Sequence, residues 1–295
     1  TLGLSSLYYY SCERCGDLKK FRNCDGVDQE GPYESEANRR FIYASQVLGY
    51  RYEGMKKICA IMDFPPPVNI NLYRAAVDKI HQATSDVSQI NMRTAANQEA
   101  KLTDSNDLTV SGDGTWQKRG YSSKNGVVTL VGVKTGKALD FEVMTTVCYG
   151  CSNYRGPTEG DEYEEWKKSH REECTVNHEG SSGLMEPVGM LRMFSRSEAR
   201  NGVRYVRYVG DGDSKTYPTL VQNKPYGDTI PSKIECTGHV QKRMGTRLRA
   251  LKKAMRGQKL SDGKTIGGAG RLTDKRIDQL STYYGNAIRA AKDIK

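Results

Sequence analysis

Long apolar runs are missing from this 295-residue sequence, and its first residues lack the pattern of a secretion signal. No stretch approaches the ~20 apolar residues that a helix needs to cross a bilayer, so no membrane-spanning helix is predicted in this sequence. Without a secretion signal, the eight cysteines are interpreted as thiols in a reducing compartment and as metal ligands. No internal repeat of roughly 20–50 residues is present, which excludes a solenoid.

Glutamate is absent from the last part of the chain. The segment Cys236–Lys295 has 15 Lys and Arg, four Asp and no Glu, and therefore carries a net charge of +11, whereas the whole chain carries +10. Such a basic segment suits a polyanion such as the DNA backbone. The alternative is a solvated helical face or a flexible basic tail.

Hydrophobic periodicity predicts a helical region followed by a mixed sheet. Residues 36–62 and 69–102 read as helices separated by three consecutive prolines. Strands are then predicted at 108–113, 126–134, 137–147, 203–210 and 230–235, and helices at 183–200, 214–223, 239–256 and 271–295. This order predicts an α/β fold with a mixed sheet, and it divides the chain into residues 1–104 and 105–295.

Two aspartates directly follow predicted strands. Asp113 lies in Ser-Gly-Asp-Gly-Thr-Trp, and Asp211 lies in Val-Gly-Asp-Gly-Asp-Ser, where Asp213 is an alternative to Asp211. Acids at the ends of neighbouring strands meet at one edge of a sheet and suit Mg²⁺ or Mn²⁺, so we expect their carboxylates within ~4–7 Å of each other. The alternative is that Asp-Gly after a strand is ordinary turn chemistry.

Four residues have the spacing of a structural zinc site. Cys148-x2-Cys151 is followed, after 18 residues, by His170-x3-Cys174. Three thiolates and one imidazole form a closed tetrahedral zinc site, which would organise the insertion 148–178. His178 is a possible competing ligand, and free structural cysteines are the alternative.

Two further groups of cysteines are less specific. Cys12 and Cys15 form one half of a similar site, and Cys24 is a possible third ligand. Cys236 and His239 lie three residues apart, and structural, substrate-positioning and catalytic roles all remain open for them. A Cys–His nucleophile pair would need a third, orienting group, which the sequence does not provide.

The predicted helix after His239 is strongly basic, with Leu248 and Leu251 as its narrow apolar anchor. Side chains that face outward from such a helix would contact DNA phosphates without reading sequence. The predicted DNA-contacting residues are Lys242, Arg243, Arg247, Arg249, Lys252 and Lys253.

Three strings together resemble the catalytic-domain motifs of Mutator-like transposases: Asp113-Gly-Thr-Trp116, Gly210-Asp-Gly-Asp-Ser214 and Glu235-Cys-Thr-Gly-His-Val-Gln-Lys-Arg-Met244. The resemblance implies a ribonuclease-H-like domain in which the first acid closes strand one and the second closes strand four. A Cys-x-x-His signature then follows strand five. It also implies transposition chemistry with Mg²⁺ or Mn²⁺, DNA partners (transposon ends and target DNA), a homo-oligomer and a nuclear location.

The family's third acid is a Glu that follows a helical insertion, and no Glu follows Glu235 here. We therefore expect the third acid beyond Lys295, residues 240–295 to form an incomplete basic helical insertion, and this chain to bind DNA without cleaving it. Glu186, on the helix between strands three and four, is a second candidate. The ordinary interpretation of Glu186 is a first-turn acid that interacts with the helix dipole.

Two other functions remain open at this point. One is a domesticated, non-catalytic DNA- or chromatin-binding protein that keeps the fold. The other is a different ribonuclease-H-like nuclease, against which the Cys236–His239 pair weighs.

Overall fold

A computed structural model of the chain describes residues 3–24, 35–118, 122–210 and 215–291. The chain divides into two compact units, Thr1–Ile90 and Asn91–Lys295. Across the described part of the chain, no helix combines the length and apolar character that crossing a bilayer requires. The elements are β1 (Leu7–Ser11), β2 (Leu18–Arg22), α1 (Glu36–Val47), α2 (Tyr52–Ile61), α3 (Ile70–Thr103), β3 (Asp107–Trp116), β4 (Asn125–Gly132), β5 (Ala138–Thr145), α4 (Tyr149–Asn153), α5 (Asp161–His170), α6 (Met185–Asn201), β6 (Arg204–Gly210), α7 (Thr216–Asn223), β7 (Ser232–Glu235), α8 (Thr237–Ala254) and α9 (Asp274–Ala290).

The first unit contains a two-stranded hairpin and a small helical core. Strands β1 and β2 pair antiparallel and are largely exposed. Helices α1, α2 and the start of α3 contribute to a core whose buried members are Ile42, Met55, Val68 and Ala76. The predicted helices at 36–62 and 69–102 are confirmed, and the first of them is divided into α1 and α2. The division includes Gly49, whose φ of +76° is a backbone conformation that glycine adopts at little energetic cost. Helix α3 belongs to the first unit up to Ile90 and to the second unit from Asn91. The predicted division of the chain into residues 1–104 and 105–295 stays a prediction.

The second unit is built on a five-stranded mixed sheet. The strand order is β5-β4-β3-β6-β7. Strands β3, β4 and β5 pair antiparallel, whereas β6 runs parallel to β3 and β7 runs parallel to β6. The predicted mixed α/β sheet is therefore confirmed at the level of its strands and their order along the chain.

One predicted boundary is wrong. Strand β3 continues to Trp116, so Asp113 lies inside the strand, paired with Thr129. The reason is the antiparallel partner β4, which remains paired with β3 after the pairing with β6 has ended at Ser111↔Val209.

Helix α6 covers one face of the sheet and contacts β3, β4, β5 and β6. Small residues allow the close approach: a Cβ on Gly112 would lie 2.2 Å from Met190 Cε, and one on Gly189 would lie 2.8 Å from Val128 Cγ2. The fully buried side chains between helix and sheet include Leu108, Val110, Leu130, Met144, Met190, Met193, Phe194, Tyr205 and Tyr208.

An ion-pair network joins α6 to β5. Asp140 is fully buried and accepts hydrogen bonds from Arg196 Nε at 2.8 Å, Arg196 Nη2 at 2.9 Å and Arg200 Nη1 at 3.0 Å. Glu142, one residue beyond Phe141, pairs with Arg192 at 3.1 Å and with Arg196 at 2.5 Å. Because bidentate guanidinium–carboxylate pairs have fixed geometry, the network determines where α6 lies along the strand.

A buried carboxylate also fixes the turn between β4 and β5. Glu99, near the end of α3, is fully buried and accepts hydrogen bonds from the backbone N–H groups of Lys134 and Thr135, both at 2.8 Å. A Cβ on Gly132 would lie 2.4 Å from Glu99 Oε2, so glycine makes room for this carboxylate.

Helices α8 and α9 pack against each other as a hairpin joined by a glycine-rich loop. Their buried residues are Gly245, Ile277 and Gly285, whereas Leu251 and Tyr283 remain exposed. The hairpin therefore has a thin apolar interface, and glycines allow its two helices to approach.

We expect Asp140→Ala to destabilise the second unit by about 3 kcal/mol, because breaking a buried ion pair leaves Arg196 without its main partner. The measurement is the free energy of unfolding from urea titration. Glu198→Ala, on the exposed side of α6, is the matched control and should change stability by no more than ~0.5 kcal/mol. Equal losses from the two variants would contradict a stabilising network.

Candidate functional site

Asp113 lies where β3 loses β6 as its neighbour. The last β3–β6 pair is Ser111↔Val209, so Asp113 is two residues beyond it. The side chain is exposed, and its Oδ1 accepts a hydrogen bond from the N–H of Gly114 at 2.8 Å. An exposed carboxylate between two glycines leaves space for a cation and a ligand to approach.

Alternation along β3 determines which face carries Asp113. A Cβ on Gly112 would point at Met190 of α6, so Gly112 faces the helix-covered side of the sheet. Successive residues of a strand face opposite sides, and Asp113 therefore faces away from α6. Its neighbours on that face are Ser111 and Thr115.

Glu186 lies in the first turn of α6, on the helix-covered side. Its Oε1 accepts a hydrogen bond of 2.9 Å from the hydroxyl of Thr216, which is fully buried at the start of α7. No hydrogen bond or ion pair among the described residues joins Glu186 to Asp113. The structure thus joins Glu186 to the start of α7, five residues after Asp211 in the chain, and its role as a metal ligand stays a prediction.

The second acid falls in a part of the chain that is not described. Asp211 and Asp213 lie outside the described residues, so the predicted approach of their carboxylates to Asp113 stays a prediction. Their chain neighbour Gly210, however, ends β6 directly beside β3 and β7.

The Cys236–His239 motif follows the next strand at the same edge. Gly210 pairs with Glu235, the last residue of β7, and the N–H of Cys236 donates to the carbonyl of Gly210 at 3.4 Å. Cys236 then precedes α8, and His239 lies in the first turn of that helix. The motif therefore lies beside the end of β6.

Glu235 is an acid at this edge to which the sequence assigned no role beyond the start of the third motif. Arg243 donates to its carboxylate, and Lys233 Nζ lies 3.3 Å from Oε1. Arg243 first, and Lys233 as well, lower the pKa of Glu235, which keeps this exposed carboxylate ionised. The parallel pairing of β6 with β7 is the signal that could have identified it.

The predicted zinc ligands are gathered into one cluster. Sulfur and nitrogen atoms of Cys148, Cys151, His170 and Cys174 all lie within 4.8 Å of one another. Cys151 Sγ lies 3.7 Å from Cys174 Sγ, and Cys148 Sγ lies 3.3 Å from His170 Nε2. A tetrahedral zinc with Zn–S bonds of ~2.3 Å separates two sulfurs by ~3.8 Å, so this cluster can hold such a metal.

Short helices deliver these ligands. Cys148 caps α4 and Cys151 lies within it, whereas His170 is the last residue of α5 and Cys174 follows three residues after the cap. His178, the possible competitor, is buried elsewhere, with its Nε2 3.1 Å from the carbonyl of Ser181.

The electrostatics of the cluster favour a cation. Backbone N–H groups of Cys151 and Thr175 lower the pKa of Cys148 to about 5, which makes this thiol a ready thiolate. Burial raises the pKa of Cys151 to about 11, with the neighbouring thiols of Cys174 and Cys148 acting in the same direction. A divalent cation would stabilise all three thiolates at once.

The lobe that carries the cluster, residues 148–178, is hydrogen-bonded to the sheet. Trp166 stacks on His170 with ring centroids 4.9 Å apart and planes 10° from parallel, which orients the imidazole. On the return path, Asn177 accepts from the N–H of Thr145 at 2.8 Å and donates to the carbonyl of Val143 at 2.7 Å. These bonds occupy backbone groups of β5, the edge strand.

The N-terminal cysteines are not gathered in the same way. Among the described residues, Cys148, Cys151, His170 and Cys174 are the one group of three or more metal-ligating side chains close enough to share an ion. Cys24 Sγ lies 3.4 Å from Ser5 Oγ. N–H groups of Cys15 and Arg14 lower the pKa of Cys12.

Cations of α8 divide into two sets. Three of the six predicted DNA-contacting residues pair with carboxylates: Arg243 with Glu235, Arg249 with Asp278, and Lys252 with Asp274. Lys242, Arg247 and Lys253 make no ion pair with another described residue and are exposed. The second set is therefore available to a phosphate without first breaking an internal pair.

We expect purified protein to contain about one zinc in the second unit, and Cys151→Ser to remove it, because three ligands no longer close the tetrahedron. Metal analysis measures the stoichiometry, and quenching of Trp166 fluorescence should change when a chelator is added. Cys59→Ala, which removes a buried thiol of the first unit, should leave the zinc content unchanged. Unaltered zinc content in Cys151→Ser would contradict the cluster as the binding site.

Residues 1–295, the whole chain, match the family model for the Mutator-like transposase. The matched range includes both compact units, and with them the sheet edge and the Cys/His cluster described above. No curated protein matches the sequence.

Proposed function

The chain belongs to the Mutator-like transposase family, and from this premise we propose that it is a DNA transposase. The proposed reaction is metal-dependent cleavage of a DNA strand by water, followed by attack of the resulting 3′-OH on target DNA. The observation that carries the proposal is the edge of the sheet at which Asp113, the end of β6 and the Cys236–His239 motif lie on adjacent strands.

We further propose that the second unit is a ribonuclease-H-like catalytic domain. The support is the sheet order β5-β4-β3-β6-β7, with three antiparallel strands, a helix, a parallel strand, a helix and a second parallel strand. This is the sequence of elements that the family resemblance implies. Its two acids belong to β3 and to the residue after β6.

Asp113 and Asp211 are the proposed ligands of Mg²⁺ or Mn²⁺, with Asp213 as the alternative to Asp211. Their hard carboxylate oxygens fit such ions, and the exposed Asp113 side chain makes no ion pair among the described residues. When bound, a pair of these ions activates water and stabilises the leaving oxygen of a phosphodiester. The protein's part is to hold the two carboxylates on adjacent strands and to leave their face open to DNA.

Glu186 is the candidate for the third acid within these residues. Glu186 accepts a hydrogen bond from Thr216, at the start of α7. It lies on the helix-covered side of the sheet, however, whereas Asp113 faces the opposite side. We therefore propose that Glu186 fixes the start of α7 through its hydrogen bond with Thr216. Loss of cleavage in Glu186→Gln would assign it a second role as a metal ligand.

Helix α8 is the proposed contact with the DNA backbone. Lys242, Arg247 and Lys253 offer unpaired cations, and their contacts would position DNA without reading its sequence. DNA as the substrate further supports a nuclear location, and a pair of transposon ends supports a homo-oligomer. Zinc is the metal proposed for the Cys/His cluster, because three sulfurs and one imidazole suit it.

Metal-dependent cleavage tests the proposal. Cleavage is measured with Mn²⁺ and a DNA duplex carrying the transposon end, on residues 1–295 and on a longer chain in case residues 1–295 bind DNA without cleaving it. In whichever chain cleaves, Asp113→Asn and Asp211→Asn should each lower strand cleavage by at least ~10²-fold, since each removes a ligand of the reacting ions. Asp213→Asn is the matched control for the choice of second acid. Cleavage that persists in Asp113→Asn would contradict the assignment.

Two other results of the same assay would decide the role of Glu186 and the choice between a catalytic and a non-catalytic protein. Loss of cleavage in Glu186→Gln, with DNA binding retained, would make Glu186 the third ligand. DNA binding by the unaltered chain in the absence of any cleavage would favour the rival function, a non-catalytic DNA- or chromatin-binding protein, or a third acid outside these residues.

The division of cations on α8 predicts their individual contributions to binding. Lys242→Gln and Arg247→Gln should each reduce the slope of log affinity against log salt by about 1, because each loses one phosphate contact and its released counterion. Arg243→Gln should change the slope less, since Arg243 already pairs with Glu235. Titration by fluorescence anisotropy at several salt concentrations measures the slopes, and a full unit of loss in Arg243→Gln would show that the ion pair opens on binding.

A further inference from the structure

A cleft lies between the end of α8 and the loop that leads to α9. Its volume is about 510 Å³. Gly257, with a φ of +78°, allows the chain to turn sharply after α8 and form one wall. The lining residues are Arg249, Lys252, Lys253, Met255, Arg256, Gly257, Thr265, Ile266, Gly267 and Asp274.

The lining of this cleft is both basic and apolar. Lys252 Nζ lies 3.1 Å from Asp274 Oδ1, which neutralises the acid among the lining residues. Lys253 and Arg256 make no ion pair with another described residue and are exposed. Met255 and Ile266 are half-buried and supply an apolar surface beside these cations.

Cations of α8 also form a stripe that ends at the cleft. Lys242, Arg249 and Lys253 follow one another at spacings of seven and four residues, which places them on one side of the helix. Arg256 follows in the turn after the helix has ended at Ala254. The rise of 1.5 Å per residue gives the helical part of the stripe, from Lys242 to Lys253, a length of about 17 Å. Arg247 lies on a different side of the same helix.

The size of the cleft and its basic and apolar lining indicate which part of a DNA molecule it can bind. A cleft of this size accepts a ligand of nucleotide dimensions, because pockets for small molecules measure ~300–1,000 Å³, whereas an intact duplex cannot enter it. An unpaired nucleotide presents an apolar base face beside a phosphate, and the lining offers an apolar surface beside two uncommitted cations.

We propose that the cleft binds a single unpaired nucleotide of DNA, with the base against Met255 and Ile266 and the phosphates at Lys253 and Arg256. The stripe on α8 guides the strand toward the cleft. This inference rests on the proposed function insofar as it takes DNA to be the substrate. It adds a site for strand ends or extruded bases that is separate from the acids of the sheet edge.

The test compares two DNA probes on the whole chain. One is a duplex of about 20 base pairs, and the other carries an additional single-stranded 3′ extension of about three nucleotides with 2-aminopurine in it. We expect about tenfold tighter binding of the extended probe, together with a change in 2-aminopurine fluorescence. Ile266→Ser and Met255→Ser should remove this gain while the affinity for the plain duplex is retained.

Leu251→Ser is the matched control, because it removes an exposed apolar side chain of α8 that does not line the cleft. It should leave the tenfold difference intact, and far-UV circular dichroism verifies that all three variants keep their helices. Equal affinity for the two probes, or an equal effect of Ile266→Ser on both, would overturn the inference while DNA binding stands. Absence of DNA cleavage by the unaltered chain, with the preference for extended DNA retained, would leave this inference standing and would bear on the proposed catalysis alone.

Discussion

Helix α6 can lie against the sheet because small residues stand where the two surfaces meet. Gly112 of β3 and Gly189 of α6 leave no space for a methyl group, so backbone and side chains touch directly. Once the helix is this close, its polar side has to satisfy the buried Asp140 of β5, which Arg196 and Arg200 do. Apolar contact fixes how near the helix lies, and the ion pairs fix where along the sheet it lies.

The position of α6 has consequences at the edge of the sheet. Trp116, at the end of β3, donates its indole N–H to the carbonyl of Ser182 at 3.2 Å, just before α6 begins. Glu186 follows one turn later and holds Thr216, so the start of α7 is tied to the same place. Acids from separate elements thereby reach one edge while facing opposite sides of the sheet. Asp113 is exposed, whereas Glu186 is hydrogen-bonded to a buried residue of the protein.

Local patterns in the sequence were sufficient for the five strands of the mixed sheet, for the helices outside the 148–178 insertion and for the Cys/His cluster. They did not predict the hairpin of β1 and β2 or the short helices α4 and α5. The four ligands lie within 27 residues, and their residue types restrict the chemistry, so spacing alone brought Cys148 together with His170. Contacts between distant segments were not predictable in this way. Arg196 and Asp140 are 56 residues apart, and Arg249 and Asp278 are 29 apart, so no pattern along the chain pairs them.

The position of Asp113 illustrates the same limit. A glycine on each side suggested the end of a strand, yet β4 holds β3 in place for three residues more. Glu235 was overlooked for a related reason, since its neighbourhood depends on the pairing of β7 with β6. In both cases the decisive partner is another strand, whose register is set by packing across the whole sheet.

The bonds between Asn177 and β5 reach beyond the fold of a single molecule. Strand β5 is the edge of the sheet, and an edge offers unpaired backbone groups to any other strand that approaches. Asn177 occupies two of these groups, and it lies three residues after Cys174 on the lobe that the Cys/His cluster organises. Removing a metal from the cluster would therefore also be expected to promote self-association, because the segment that occupies the edge of the sheet would lose the lobe that holds it in place.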